Sequence, residues 1–317
     1  MSKCLYCHKE LKAHEKDFHA HCSRTFFGDS VPPTLNYSHD EMDSLAAAII
    51  QSQTTLTGVQ PKISLHLNQH EGSKRLTVVG LWGGYIFKPQ TELYPHLPEL
   101  EDVTMHLAEE SKLAVVPHSL IRLRDGELGY ITRRIDRKAD GTKIAMEDMC
   151  QLTERPTEYK YRSSHEQIAK AIRKFSFVPD LDVMQYYELV LFCYLTGNND
   201  MHLKNFSIYQ PNAGEYRLAP AYDLLNVAIV NPKDTEELAL TLNGKKRKLT
   251  RHDFETAMLS SGLNEKVVSN IFRKFLRIYP QWEAIIRNSF LPADLQEAYW
   301  QLIQDRILTI EKENINY

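Results

Sequence analysis

Asp200, His202, Lys204 and Asn205 crowd the short stretch TGNNDMHLKNFSIY, Thr196 to Tyr209, between the apolar run YYELVLFCYL and the strand-like FSIY. A carboxylate five positions ahead of an amide, in a loop between a buried helix and a strand, suits phosphoryl transfer. There an Asp orients the attacking hydroxyl as base and an Asn binds Mg²⁺. Such chemistry asks for little covalent help; it needs a Lys on the phosphates, oxygen ligands for the metal and a base. Asp223 follows the hairpin pattern of FSIYQPNAGEYRL and supplies a second metal carboxylate, a hard donor of the kind Mg²⁺ takes. Lys88, at the end of GYIFKP, stands where a phosphate-binding ammonium belongs, and Glu101 in LPELED offers its ion-pair partner. The stretch TTLTGVQPK has a single glycine: Gly58, with Val59 and Gln60, lets backbone amides approach a phosphate, while Thr55 and Thr57 carry hydroxyls.

Each residue also has a plainer reading. The polar knot around Asp200 makes an ordinary turn capping a helix C-terminus, and an imidazole at His202 braces a loop as well as it does chemistry. Lys88 reads equally as a surface residue at a strand end, and Glu101 as an acidic residue favoured by the helix dipole. Thr55 and Thr57 serve as caps.

The elements that would hold these groups fall into two kinds. After the linker DSVPPTLNYS and a helix over HDEMDSLAAAIIQSQ, the runs KISLHL, RLTVVG, GYIFKP, VVPHSLIRL and LGYITRRI read as antiparallel strands, with a helix over LPELEDVTMHLAEESKL. From AMEDMCQLT onward the period is mainly helical, through SHEQIAKAIRKFS, LDVMQYYELVLFCYLTG, HDFETAMLSSG, EKVVSNIFRKFLRIYPQWEAIIRNSF and ADLQEAYWQLIQDRILTIEKE. The expected fold class is α+β, with residues 1–28 a Cys/His segment, 29–145 a β-rich N-lobe and 146–317 a mainly helical C-lobe. The functional crevice is expected where the lobes join. The basic, aromatic RKFLRIYPQWEAIIR reads as an amphipathic helix face rather than a nucleic-acid stacking surface.

Composition narrows the classes further. With 317 residues, 43% of them apolar, the chain can bury a large core, and its net charge of −3 gives no general attraction to nucleic acid or an anionic membrane. No window has the length and apolarity of a membrane span, and MSKCLYCHKELKAHEK lacks a signal-peptide core, so the expected location is cytoplasmic. Of five cysteines, three lie in the first 22 residues, an odd total that argues against a disulfide framework. Cys4-x2-Cys7 with His19-x2-Cys22 has the paired spacing of a structural Zn²⁺ site, with His8, His14 and His21 as rival ligands. A reduced, metal-free terminus is the alternative.

Taken in order, TLTGVQPKISL, GYIFKPQ, LPELEDVTMHLAE, YITRRIDR, MEDMCQLTERPTEYKY, NNDMHLKNFSIY and LAPAYDLLN resemble the HipA-like serine/threonine kinases of bacterial toxin–antitoxin systems, from about Gln51 to Asn226. The resemblance implies a two-lobed protein-kinase-like (HipA-like) fold with Mg-ATP as donor and aminoacyl-tRNA synthetases or similar translation proteins as substrates. It implies Asp200 as catalytic base beside His202 and Lys204, Asn205 and Asp223 as Mg²⁺ ligands, Lys88 on the ATP phosphates, and autophosphorylation at Thr55 or Thr57. Added phosphate there would repel ATP and switch the enzyme off. The family marks Ser at that place, and this sequence has Thr. About fifty residues precede the loop, as in the short HipT-like members, so a helix-turn-helix antitoxin and a small third protein are the expected partners. A small-molecule phosphotransferase and an inactive scaffold in a repressor complex are the competing functions.

Overall fold

The computed structural model describes residues 2–52, 61–70, 73–79, 83–138 and 140–311. The Thr55, Thr57, Gly58, Val59 and Gln60 loop named above lies outside them. The described chain divides into two compact units, residues 1–102, 116–143 and 288–290 in the first and residues 103–115, 144–287 and 291–317 in the second.

The first unit holds the helices α1 (Ala20–Phe27) and α2 (His39–Ser52) and the strands β1 (Ile63–His70), β2 (Ser73–Val78) and β3 (Tyr85–Lys88). The helix α3 (Leu97–Glu110) is divided between the units after Asp102, and β4 (His118–Arg122) and β5 (Leu128–Arg133) return to the first. These strands form one antiparallel sheet in the order β2-β1-β3-β5-β4. Alternation along β1 and β3 turns Ile63, Leu65 and Phe87 into the core. Gly129 in β5 has no side chain for a steric reason: a Cβ there would lie 2.1 Å from the Phe87 ring. Residues at the N-terminus join this same core, with Leu5, Phe18, Phe26 and Phe27 packed in one cluster with Ile63, Phe87, Leu120 and Ile131. The backbone of Leu5 is stitched to β4, its carbonyl accepting from the Leu120 amide at 3.2 Å.

The second unit opens on β6 (Met146–Asp148), which runs directly into the short α4 (Met149–Leu152). It continues through α5 (His165–Phe175), α6 (Pro179–Leu195), the β7 (Ser207–Asn212) and β8 (Glu215–Leu218) hairpin, α7 (Val227–Val230), α8 (Arg251–Ser260), α9 (Glu265–Arg287) and α10 (Ala293–Glu311). A three-stranded sheet, β6-β7-β8, sits within this mainly helical unit. Ser164 caps α5 by accepting from the Gln167 amide, and Pro179 occupies the first turn of α6, where its missing N–H costs nothing. α6 is apolar and buried on nearly every side, so it forms the centre of the unit rather than an amphipathic surface helix. In α9 the basic, aromatic stretch turns Phe272, Phe275, Trp282 and Ile286 inward.

One buried group in this unit makes stability depend on pH. His165 is buried with Nδ1 2.6 Å from the Tyr186 hydroxyl, and burial pushes its imidazole down to about 3. Above about pH 6.5 the ring is neutral folded or unfolded; below it the unfolded chain takes up a proton that the native ring refuses. Native stability therefore falls by about 1.4 kcal/mol per pH unit from this group as pH drops from about 6.5 toward its folded value. Denaturation midpoints between pH 7 and 5 are expected to decline less steeply in His165→Gln; equal slopes would refute the assignment.

Candidate active site

In the first unit, β3 ends on Lys88, whose register partner on β5 is Tyr130. Lys88 Nζ donates to both carboxylate oxygens of Glu101, at 2.5 and 2.7 Å, and lies 5.4 Å from the centre of the Tyr130 ring. Both partners are removed from water, with side chains 5% and 2% exposed, so this is a buried salt bridge and not a surface pair. Pro89, which follows, is also buried. The neighbouring Asp102 holds His8 Nε2 at 2.7 Å and approaches His118 Nδ1 at 3.4 Å.

In the second unit the site is built from the C-terminal end of α6. Thr196 caps the helix and Gly197 turns the chain at φ 70°. A Cβ at Gly197 would also meet the Asn226 side chain at 2.8 Å, so glycine is required twice over. The loop then carries Asp200, His202, Lys204 and Asn205 into β7. Tyr161 donates its hydroxyl proton to Asp200 Oδ1 at 2.6 Å. Burial, and then the Asp200 carboxylate itself, raise the Tyr161 phenol well above its ordinary value, so it stays a protonated donor. Asn205 Nδ2 donates to the Asp200 carbonyl at 3.1 Å, which commits the amide nitrogen and presents Oδ1 as the acceptor available to a cation. His202 is buried and stacks edge-on against Tyr161, with ring centres 5.0 Å apart. Lys204 is engaged by Asp148 at 2.8 Å, the residue that ends β6 and caps α4 through Gln151.

The segment that carries Asp223 is stitched to the same loop on either side of it. Before it, the Tyr222 hydroxyl donates to the Lys204 carbonyl at 3.1 Å and lies 2.6 Å from Ser207 Oγ. After it, the amides of Val227 and Ala228 donate to the Gly197 carbonyl at 3.1 and 3.0 Å. Asp223 itself stands in the left-handed region at φ 63°, a conformation that non-glycine residues adopt at a cost of order 1 kcal/mol and that Asp tolerates better than most. At the other end of α6, buried Asp182 accepts from the Leu218 amide at 2.8 Å and from Arg217, fixing β8, from which the Asp223 segment departs. One helix thus sets both the loop that carries Asp200 and the strand that leads to Asp223.

The donor set of Asn205 Oδ1 and the Asp223 carboxylate is made of hard oxygens and fits Mg²⁺ in type. Cys4, Cys7, His19 and Cys22 converge as well, their ligand atoms all within 4.8 Å of one another. Tyr161, Asp148, Tyr130 and Asp102 are contact partners that the spacing argument did not single out. Tyr161 and Asp148 both lie in MEDMCQLTERPTEYKY, whose position in the family pattern was the one signal pointing to them.

Similarity to known proteins agrees with this geometry. A family model described as the HipA-like C-terminal domain matches residues 54–282. A Haemophilus influenzae protein named "Putative kinase" is 26% identical over 288 residues, covering 82% of each chain. Sinorhizobium fredii "Putative kinase Y4dM" is 28% identical over 82% of this chain and 66% of its own length. Among solved structures, the Shewanella oneidensis HipA of a HipA, HipB and operator DNA complex matches with TM-score 0.67 at 21% identity, over 81% of this chain and 65% of that one. The Helicobacter pylori proinflammatory kinase CtkA matches with TM-score 0.52 at 18% identity, over 78% of this chain and 94% of that one. At such identities the likeness to the solved structures is one of fold, an α+β kinase-like fold. Among the described residues no helix is long and apolar enough to cross a membrane.

Proposed function

The chain belongs to the HipA-like C-terminal domain family, and from that premise we propose that it is a Mg-ATP-dependent serine/threonine protein kinase. The observation that carries the reading is the loop itself: Asp200, bonded by Tyr161, stands five residues ahead of an Asn205 whose amide nitrogen is bonded back to the Asp200 carbonyl. Asp200 accepts the proton of the substrate hydroxyl as that oxygen bonds to the γ-phosphorus and ADP leaves. Asn205 and Asp223 would hold Mg²⁺, which when bound neutralises charge on the phosphate oxygens. Lys88 contributes a point charge to the phosphates, and Glu101 aims it. Lys204, tied to Asp148, and His202, packed on Tyr161, keep the loop in shape.

The family resemblance extends the proposal to an aminoacyl-tRNA synthetase or similar translation protein as substrate, autophosphorylation on Thr55 or Thr57, and a helix-turn-helix protein as restraining partner. The Shewanella HipA was solved with HipB and operator DNA, which supports a partner of that class here. The test is to follow γ-³²P from ATP in a bacterial lysate supplemented with the purified chain. Label is expected in a discrete protein band and, by phosphopeptide mass spectrometry, on Ser or Thr. Label confined to soluble products would replace the reading with a small-molecule phosphotransferase, and no transfer at all would favour a scaffold.

A further inference from the structure

We infer that the N-terminal segment is a structural zinc site, with Cys4, Cys7, His19 and Cys22 as its four ligands. It is independent of the kinase reading and of the residues that reading uses. The first ligand pair lies on a knuckle. An antiparallel bridge between Lys3 and Glu10 closes the loop, the amides of Cys4 and His8 bond to Lys9 O and Cys4 O at 2.9 Å, and His8 turns the chain at φ 59°. The second pair lies at the start of α1, with His19 as its N-cap residue and Cys22 in its first turn.

The distances match a tetrahedral ion. Bonds of about 2.3 Å to sulfur and about 2.0–2.1 Å to nitrogen place ligand sulfur and nitrogen about 3.6 Å apart. His19 Nδ1 lies 3.5 Å from Cys7 Sγ and 3.7 Å from Cys22 Sγ. Its other nitrogen, Nε2, is 3.0 Å from the Glu10 carbonyl; donating there fixes the tautomer and leaves the Nδ1 lone pair facing the three sulfurs. The cysteines are all free thiols, so the cluster is not a disulfide pair with a bystander. Of the rival histidines, His8 is bonded to Asp102 and His14 is exposed; His21 is exposed too, and although its Nε2 lies 3.3 Å from Cys22 Sγ it falls outside the group of four whose ligand atoms all lie within 4.8 Å of one another. Four protein ligands close the coordination sphere, which makes the role structural and not catalytic. Because His8 directly follows Cys7, an ion at this site also anchors the loop whose imidazole holds Asp102, next in sequence to Glu101.

The experiment uses the full chain purified without chelator. Metal analysis is expected to give about one zinc per chain, and zinc-edge X-ray absorption about three sulfurs and one nitrogen. Cobalt replacement is expected to give a sulfur-to-metal charge-transfer band that is weakened in Cys7→Ser, the half-buried ligand least needed for packing, and unchanged in Cys150→Ser. Since Cys4→Ser or Cys22→Ser is liable to unfold the segment, the absorption measurement on the unaltered chain decides. A metal content near zero overturns the inference. So does a coordination shell of nitrogen and oxygen alone, which would mark an adventitious ion.

Discussion

Asp200→Asn is expected to lower phosphoryl transfer by about 10²–10⁴-fold while nucleotide binding and thermal stability stay close to those of the parent chain. The substitution keeps the shape of the side chain and an acceptor oxygen for the Tyr161 hydroxyl, now 2.6 Å from Oδ1. It also spares the Asp200 carbonyl that Asn205 uses, because that contact is to backbone. What disappears is proton affinity: an amide oxygen does not take the proton of an attacking hydroxyl. The loss corresponds to about 3–5 kcal/mol of transition-state stabilisation. Initial rates of label transfer, read beside calorimetric titration with ATP, separate the two effects. A variant retaining more than about a tenth of parental activity would remove Asp200 from the role of base and leave its turn-capping function as sufficient explanation.

The contrast between what the sequence disclosed and what it hid follows from the range of each interaction. α6 and the loop after it are local: an apolar run long enough for a buried helix, then a glycine and a polar cluster, dictate a helix and a turn in chain order. Lys88 at a strand end and the β7–β8 hairpin were legible for the same reason, through alternation and the Asn-Ala-Gly turn. The Tyr161 bond to Asp200 spans 39 positions and the Lys204 bond to Asp148 spans 56, and no periodicity encodes either. β6 is three residues long, too short to show alternation, so its pairing with the legible β7–β8 hairpin left no pattern to read. In the N-terminal segment Leu5, Phe18, Phe26 and Phe27 share the core of the adjacent sheet rather than building one of their own, a long-range packing that the Cys/His spacing does not reveal. His8 illustrates the limit most directly. It reads as a zinc ligand by proximity to Cys7, and its actual partner, Asp102, is 94 positions away.

Lys88→Met should abolish activity and also destabilise the first unit by about 3–5 kcal/mol, because it removes the cation that both Glu101 carboxylate oxygens accept from in a buried site. Glu101→Leu should do comparable damage by removing the carboxylate that the buried ammonium donates to twice. Only part of that would be softened by the Tyr130 ring 5.4 Å from Lys88 Nζ, since a cation over an aromatic face gains about 2 kcal/mol at best when desolvated. The double variant, Lys88→Met with Glu101→Leu, replaces two buried charges by apolar groups of similar length, and such replacements are often neutral or stabilising. Its melting temperature is therefore expected to return to the parental value, or above it, while label transfer stays at background. That separation is the diagnostic outcome. A buried salt bridge kept for folding would lose nothing in the double variant, whereas one kept to aim a charge at phosphate loses its purpose once both charges are gone. Recovery of activity in the double variant would show that the pair is structural alone. A single Lys88→Met chain melting with the parent would show that the salt bridge to Glu101 does not hold the first unit together.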